Sequence, residues 1–366
     1  MPHLTRSSVP AALIAISMLT LAAGAFALPA ADTEKDLAKI RKRAEQGNAE
    51  QQFELATAYF TGKGVAQDSV QAAHWFLKAA EAGDPWAENQ IGYMYLSGNG
   101  VSKDLAQANH WFQISASSGL VTAKVNLGVD YLYGVGLHAD GVMARQLFKE
   151  ATDKGSGPAA NYLGVMNQLG LGIPVDLPSA RKWFELGVKL HEPKSAYNLA
   201  CIYASAKYQG PDFRRAVELL RFAAGKDYVP AKHLLALMLV NHPEIAAPTD
   251  QPRQLLLDAS SEGSWKSSIL LGVFARDGKG ETPDPSQAWY YFHLATLQGG
   301  SECQGLTARE LKALESKVSA PEQAAIAQRA EDWFQQHRGS AAPVVDETNP
   351  VPNSVPNDPV IASSTP

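Results

Sequence analysis

The residues from which chemistry would have to be built are a histidine pair, a ladder of aspartates, a ladder of Gly-x-Gly pairs and two cysteines. His74 and His110 stand 36 residues apart. A shared metal would need both rings at about 2 Å from one ion. Equivalent helices in a stack lie about 10 Å apart, and no third ligand suggests itself, so the pair reads as polar residues on an outer helix face. Asp32, Asp68, Asp104, Asp140, Asp176 and Asp212 recur with the same step of 36. A row of carboxylates could be taken for cation ligands, but a fixed place just before a helix is explained by N-capping. The pairs Gly62/Gly64, Gly98/Gly100, Gly134/Gly136 and Gly170/Gly172 follow helical patterns, whereas phosphate loops follow a strand. Cys201 and Cys303 are separated by more than two units of the repeat, and a disulfide needs Cα atoms within about 7 Å, so two separate thiols are expected. No Gly-x-Ser-x-Gly, His-Glu-x-x-His or Cys–His motif occurs. No catalytic residue, cofactor or metal ligand is assigned.

The same ladders define the elements. Gly47, Gly83, Gly119 and Gly155 run in phase with the aspartates, and a period in this range marks a stacked-repeat protein. In the first repeat, Leu55, Ala56 and Tyr59 have helical spacing and form helix A, which ends at the glycine pair. Asp68 opens helix B by accepting from the free N–H groups of its first turn, and Gln71 completes a capping-box pattern. Helix B carries Ala72, Trp75, Phe76, Ala79 and Ala80 on one stripe and ends at Gly83, with Pro85 after it. Neither helix can bury its stripe alone, so stability depends on neighbouring units. The fold class is all-α, a right-handed α-solenoid of helix–turn–helix units of about 36 residues.

The pattern Leu-Gly-x-x-Tyr, Gly-x-Gly, Asp, Ala-x-x-Trp-Phe, Ala-Ala-x-x-Gly resembles the Sel1-like repeat family, a relative of the tetratricopeptide repeats. Repeat two carries it in Ile91, Gly92, Tyr95, Gly98, Gly100, Asp104, Ala108, Trp111, Phe112 and Gly119. Repeat three has Leu127, Gly128, Tyr131 and Asp140, with Leu147 at the tryptophan position, and repeat four ends in His191 instead of glycine. Repeat five keeps Leu199, Tyr203, Asp212 and Ala216 but has Ala206 and Tyr208 for the glycine pair. Repeat six is interrupted by His242, Pro243, Pro248 and Pro252, and repeat seven recovers with Gly272, Gly278, Gly280, Asp284 and Phe292. One branch of the family staples every repeat with a disulfide and is linked to β-lactams; the paired cysteines are missing here, so that association is not carried over.

Residues 1–27 read as a secretory signal: Arg6, an apolar run from Ala11 to Ala23, and Ala25-Phe26-Ala27 as the cleavage site. That run of thirteen residues is too short to span a bilayer. Residues 28–48 form a capping half-repeat, polar through Lys39, Arg41, Lys42 and Arg43, with Ile40 and Ala44 facing the stack. About seven repeats occupy 49–300, the fifth and sixth degenerate, and capping helices occupy 301–337, read as Leu306 to Val318 and Pro321 to Gln336. Residues 338–366, with six prolines, are expected to be disordered. A net charge of −5 and no basic stripe argue against nucleic acid as a partner.

With helix A lining the concave face, as in the related stacks, the groove stripe is Phe53, Thr57 and Phe60; Asn89, Tyr93 and Leu96; Val125, Val129 and Leu132; Asn161, Val165 and Gln168; Tyr197 and Cys201; Ile269, Val273 and Arg276. Asn89, Tyr93, Asn161, Gln168, Tyr197 and Arg276 are the candidate partner-binding residues, because buried amides need partners and tyrosine is favoured at hot spots. The resemblance implies an exported adaptor, periplasmic in a Gram-negative cell, that binds envelope proteins or peptides. The alternatives are a periplasmic negative regulator of an envelope receptor and a cell-wall or β-lactam amide hydrolase, the last without a visible nucleophile and base.

Overall fold

A computed structural model describes residues 34–205, 210–279 and 282–337 and contains, among them, seventeen α-helices, two 3-10 turns and no strand. The signal segment, Asp32, Ala206, Tyr208, Gly280 and the proline-rich tail lie outside the described residues. α1 (Glu34–Glu45) precedes seven A/B pairs: α2 (Ala49–Thr61) and α3 (Ser69–Glu81), α4 (Pro85–Ser97) and α5 (Leu105–Ser117), α6 (Val121–Tyr133) and α7 (Gly141–Asp153), α8 (Gly157–Leu169) and α9 (Leu177–Lys189), α10 (Pro193–Ala204) and α11 (Phe213–Ala224), α12 (Val229–Asn241) and α13 (Pro252–Ser261), α14 (Trp265–Asp277) and α15 (Pro285–Gly299). α16 (Gln304–Leu314) and α17 (Ala320–His337) follow and pack on α15. The chain forms two compact α-solenoid units, one ending at Leu190 and one beginning at His191.

In the first unit every turn is built alike. The Asp68 carboxylate accepts from Val70 and Gln71 at 3.0 Å, and Asp104 and Asp140 repeat the bond. The reciprocal half of the capping box is not made. Asp68 N–H donates instead to Tyr59 O at 2.9 Å, as Asp104 does to Tyr95 O, Asp140 to Tyr131 O and Asp176 to Asn167 O. The donor that a Gln71 side chain would have satisfied is already used to tie helix B to helix A. Gly62, Gly98, Gly134 and Gly170 close the A helices in the left-handed conformation. The second glycine of each pair has a further reason. A Cβ on Gly100 would strike the Ser69 carbonyl oxygen, and one on Gly172 would lie 2.5 Å from the Gly141 Cα, so each turn rests directly on the backbone of the preceding B helix.

The core is a column of phenylalanines. Phe76, Phe112, Phe148 and Phe184 are fully buried, each contributing about 2–3 kcal/mol. The rings of Phe112, Phe148 and Phe184 lie over the helix A glycines, with Ala56 in that place beside Phe76: a Cβ on Gly92 or Gly128 would sit 2.7 Å from the ring below it. Repeat seven uses the same pair, Gly272 with Phe292. Repeats five and six place Ala200 with Leu220 and Ala236 with Leu256 at those positions, all four fully buried. At the N-terminus, Leu37 and Ala44 of α1 close over Leu55, with Ile40 packed beside them.

The second unit keeps the backbone tie at Asp212 and Asp284 but holds the turn before α13 with side chains. α13 has no capping aspartate, and Gln251 makes no side-chain cap bond. The turn before it runs through a 3-10 segment, Pro243–Ile245, and is held by Asp250, which accepts from the Ala247 N–H and pairs with Arg221 of α11 at 2.5 Å. His242 stacks on Phe213 at 3.9 Å. His191 and Asp227 continue the ladder of Gly47, Gly83, Gly119 and Gly155 and sit at φ 60° and 57°, a conformation unfavourable for residues with a Cβ. Gly263 restores glycine one step later.

Candidate partner-binding surface

The A helices are buried on more sides than the B helices, and this moves the groove. Asn89, Tyr93 and Asn161 are 0%, 5% and 3% exposed. They are interior residues, which corrects their assignment to an open face. The Tyr93 ring packs edge-on against Phe112 at 5.0 Å, and Asn126 Nδ2 donates to Asn89 Oδ1 at 2.8 Å across two repeats. α4 packs against both α3 and α5, and α8 against both α7 and α9. Gln168 is half-buried. In the second unit Tyr197 is half-buried against Tyr228 at 5.5 Å. Arg276 bonds Asp277 at 2.7 Å and also pairs with Glu310 of α16. These partners outweigh the burial that opposes its charge, so its pKa is raised. It fastens the C-terminal cap.

The accessible part of the A side in the first unit lies on other members of the stripe. Phe53, Thr57 and Phe60 on α2 and Val125, Val129 and Leu132 on α6 are half-buried. The two phenylalanines lean edge-on against Phe76, at 5.5 and 6.4 Å. Asn126 on α6 and Gln168 on α8 are half-buried amides, and Lys124 is engaged with Glu150 at 2.5 Å. This leaves α6 with half-buried apolar residues and an amide.

A second row was missed from the sequence. Among the described residues, Val70, Val142, Met143 and Val175 are the exposed large apolar side chains of the first unit, with Val142 at 69%. Val70, Ala106, Val142 and Pro178 each follow a capping aspartate by two residues, where the second unit has Arg214 and Ser286. That regularity was readable from the ladder.

His74 and His110 lie on the outer face of B helices, each edge-on to its own tryptophan at 5.2 and 5.7 Å. Among the described residues no three His, Cys, Asp or Glu side chains gather to hold a metal. Cys201 and Cys303 are not joined in a disulfide. His233 Nδ1 lies 3.1 Å from Ser267 Oγ, the contact a nucleophile and base would make. Ser267 is fully buried, however, and also meets Ser264 Oγ at 3.0 Å. Burial, with Lys266 nearby, pushes His233 down to about 4. The pair therefore serves as a neutral hydrogen bond between α12 and α14. Next to it, Glu262 and Asp227 hold the buried Lys232 ammonium at 2.7 and 3.0 Å, outweighing the burial that works against its charge.

The Sel1 repeat family model matches residues 49–84, 87–120, 121–156, 157–190, 193–228 and 266–300, more than half of the chain. It finds no repeat between 228 and 266, where α12 and the shortened α13 nonetheless form a pair. Among solved structures, a Sel1 repeat protein from Oxalobacter formigenes is 23% identical, with a TM-score of 0.56 over 69% of this chain and 97% of that one. A protective antigen of uropathogenic Escherichia coli strains, displaying an SLR fold, is 26% identical over 84% of this chain and 72% of its own, with a TM-score of 0.44. No curated protein matches. Among the described residues no helix is long and apolar enough to cross a membrane. With six matched units and the Gly–Phe, Asp-cap and glycine-turn geometry that repeats between them, the chain belongs to the Sel1 repeat family, whose members are typically protein-interaction scaffolds and generally non-enzymatic.

Proposed function

We propose that the protein is an exported, non-enzymatic scaffold that holds a partner protein of the cell envelope against the helix A side of its first unit. The observation that carries this reading is the half-buried apolar set Val125, Val129 and Leu132 on α6, which share that helix with the half-buried amide Asn126. Such a surface suits the apolar face of a helix or the side chains of an extended peptide. Export rests on the apolar run and the Ala25-Phe26-Ala27 site. Membership of a scaffold family supports an interaction role, and the burial of Ser267 beside His233 speaks against using that pair on a substrate.

The test is a photo-cross-linking residue at Val129 in the full chain, expressed with its N-terminus intact, and mass spectrometry of what attaches in living cells. One dominant envelope protein is the expected result. Scattered weak adducts, or a dominant adduct from Val142 and none from Val129, overturn the helix A surface.

A further inference from the structure

Asp130 stands on α6 where the neighbouring repeats carry Met94 and Met166. Both methionines are buried in the clusters that join one repeat to the next. Asp130 is 4% exposed, and its Oδ2 meets no partner among the described residues. Leu127 and Tyr131, on either side of it, pack with Tyr93, Leu96 and Phe112 in the seam between repeats two and three. A carboxyl group thus occupies a place built for a thioether.

The charged and titratable groups of the surrounding helices leave it uncompensated. On α6 itself Lys124 is held by Glu150, and burial raises the Tyr133 phenol, so that it carries no compensating charge. On α4, Glu88 lies toward the opposite end and bonds Ser118, while Tyr93 and Tyr95 belong to the apolar clusters. On α5 His110 is exposed, as are Arg145, Lys149 and Asp153 on α7, and α8 offers Tyr162, stacked on Phe148.

We propose that Asp130 is a pH latch on this seam: with its proton it packs as methionine does in the adjacent repeats, and without it the carboxylate drives α6 away from α5 and opens the first unit between repeats two and three. Burial supports this by raising Asp130 from 3.8 to about 8, so the closed seam keeps a proton that the open seam releases. The sign follows from linkage. The stabilisation is complete below about pH 4 and is lost as pH rises through about 8. Within that window each unit of pH multiplies the opening equilibrium by up to about tenfold.

The experiment is amide hydrogen exchange on the full chain between pH 5 and 9, for the native protein, Asp130→Asn and Asp130→Met. Native protection factors in α5 and α6 are expected to fall by up to about tenfold per unit of pH up to about pH 8, and both variants to show no such slope. Infrared difference spectra should show a protonated carboxyl at pH 7 that Asp130→Asn removes. Equal slopes in native protein and variants, or no protonated carboxyl at pH 7, overturn the proposal. The methionine variant restores the residue of the neighbouring repeats and the asparagine variant keeps the shape, so either one that folds gives the reading.

Discussion

The two units solve one problem in different materials. In the first, the turn between helices A and B rests on the preceding repeat through backbone at Gly100 on Ser69 and Gly172 on Gly141, and in repeat three also through Asn109, whose amide donates to Val135 O at 2.8 Å. In the second, around repeats five and six, side chains do the fastening: His242 on Phe213, Arg221 on Asp250, and His191 and Asp227 held in a conformation that glycine fills elsewhere. The backbone solution leaves no room for another residue at the glycine. The side-chain solution tolerates an irregular turn, such as the one before α13, but each fastening can be removed by one substitution.

The contrast is broken most severely at Gly100. Gly100→Val places a side chain against the Ser69 carbonyl at φ 73° and should destabilise the first unit by about 4 kcal/mol or more. Urea titration followed by tryptophan fluorescence and far-UV circular dichroism would measure it, and a loss below about 1 kcal/mol would show that the turn can lift off its neighbour. Next comes Arg221→Ala, expected to cost about 2 kcal/mol, since Asp250 is left with the Ala247 N–H alone. Arg221 holds the Asp250 carboxyl below its usual range. The bridge therefore contributes above about pH 4 and fades as pH falls through the depressed value. Thermal melts of native and variant protein should converge in acid, and a gap that persists at pH 2 would assign the effect to packing instead.

A finer comparison exchanges the two core solutions. Gly164→Ala pushes a Cβ into the Phe184 ring and should cost about 2 kcal/mol, while Phe184→Leu leaves a gap worth about 1–2 kcal/mol. Together they reproduce Ala200 with Leu220, so the double variant should lose at least about 1 kcal/mol less than the sum. Additive losses in a double-mutant cycle would mean that the two pairs are not alternatives. Repeat one, which already sets Ala56 beside Phe76, sets the scale of what local adjustment can absorb. The smallest effect is a gain: His191→Gly should stabilise by about 1 kcal/mol by relieving the positive φ, read as a raised melting temperature. No gain would mean that the His191–Phe222 ring contact at 6.4 Å offsets the strain.

What could be read from the sequence is what has a local cause. A capping aspartate and a left-handed glycine act on their own turn, so their spacing revealed the repeat and the order of A and B helices. The C-terminal helices also begin and end within a few residues of where the sequence puts them, Ala320–His337 against 321–336. What depends on a third partner was not readable. The capping box is half made because Tyr59 O takes the Asp68 N–H. Asn89, Tyr93 and Asn161 point along the expected stripe, but a helical wheel gives direction and not the number of helices that cover it. The left-handed backbone at Asp227 is hidden for a related reason, since nothing in an aspartate announces that the chain behind it demands a glycine.

The way Gly100, Gly136 and Gly172 rest on the helix before them has a consequence for how such a chain lengthens. At Gly100 and Gly172 the surface underneath is main chain, Ser69 O in one case and Gly141 Cα in the other, whereas Gly136 sits on Leu105 Cβ and Asn109 Nδ2. A copied segment of 36 residues inserted into the first unit brings its own glycine and seats where the helix before it offers main chain or a small residue. Repeat six lacks this interchangeability: a duplicate of it would need a new Arg221 in the repeat it landed on. Growth by duplication is easier in the first unit than around repeat six.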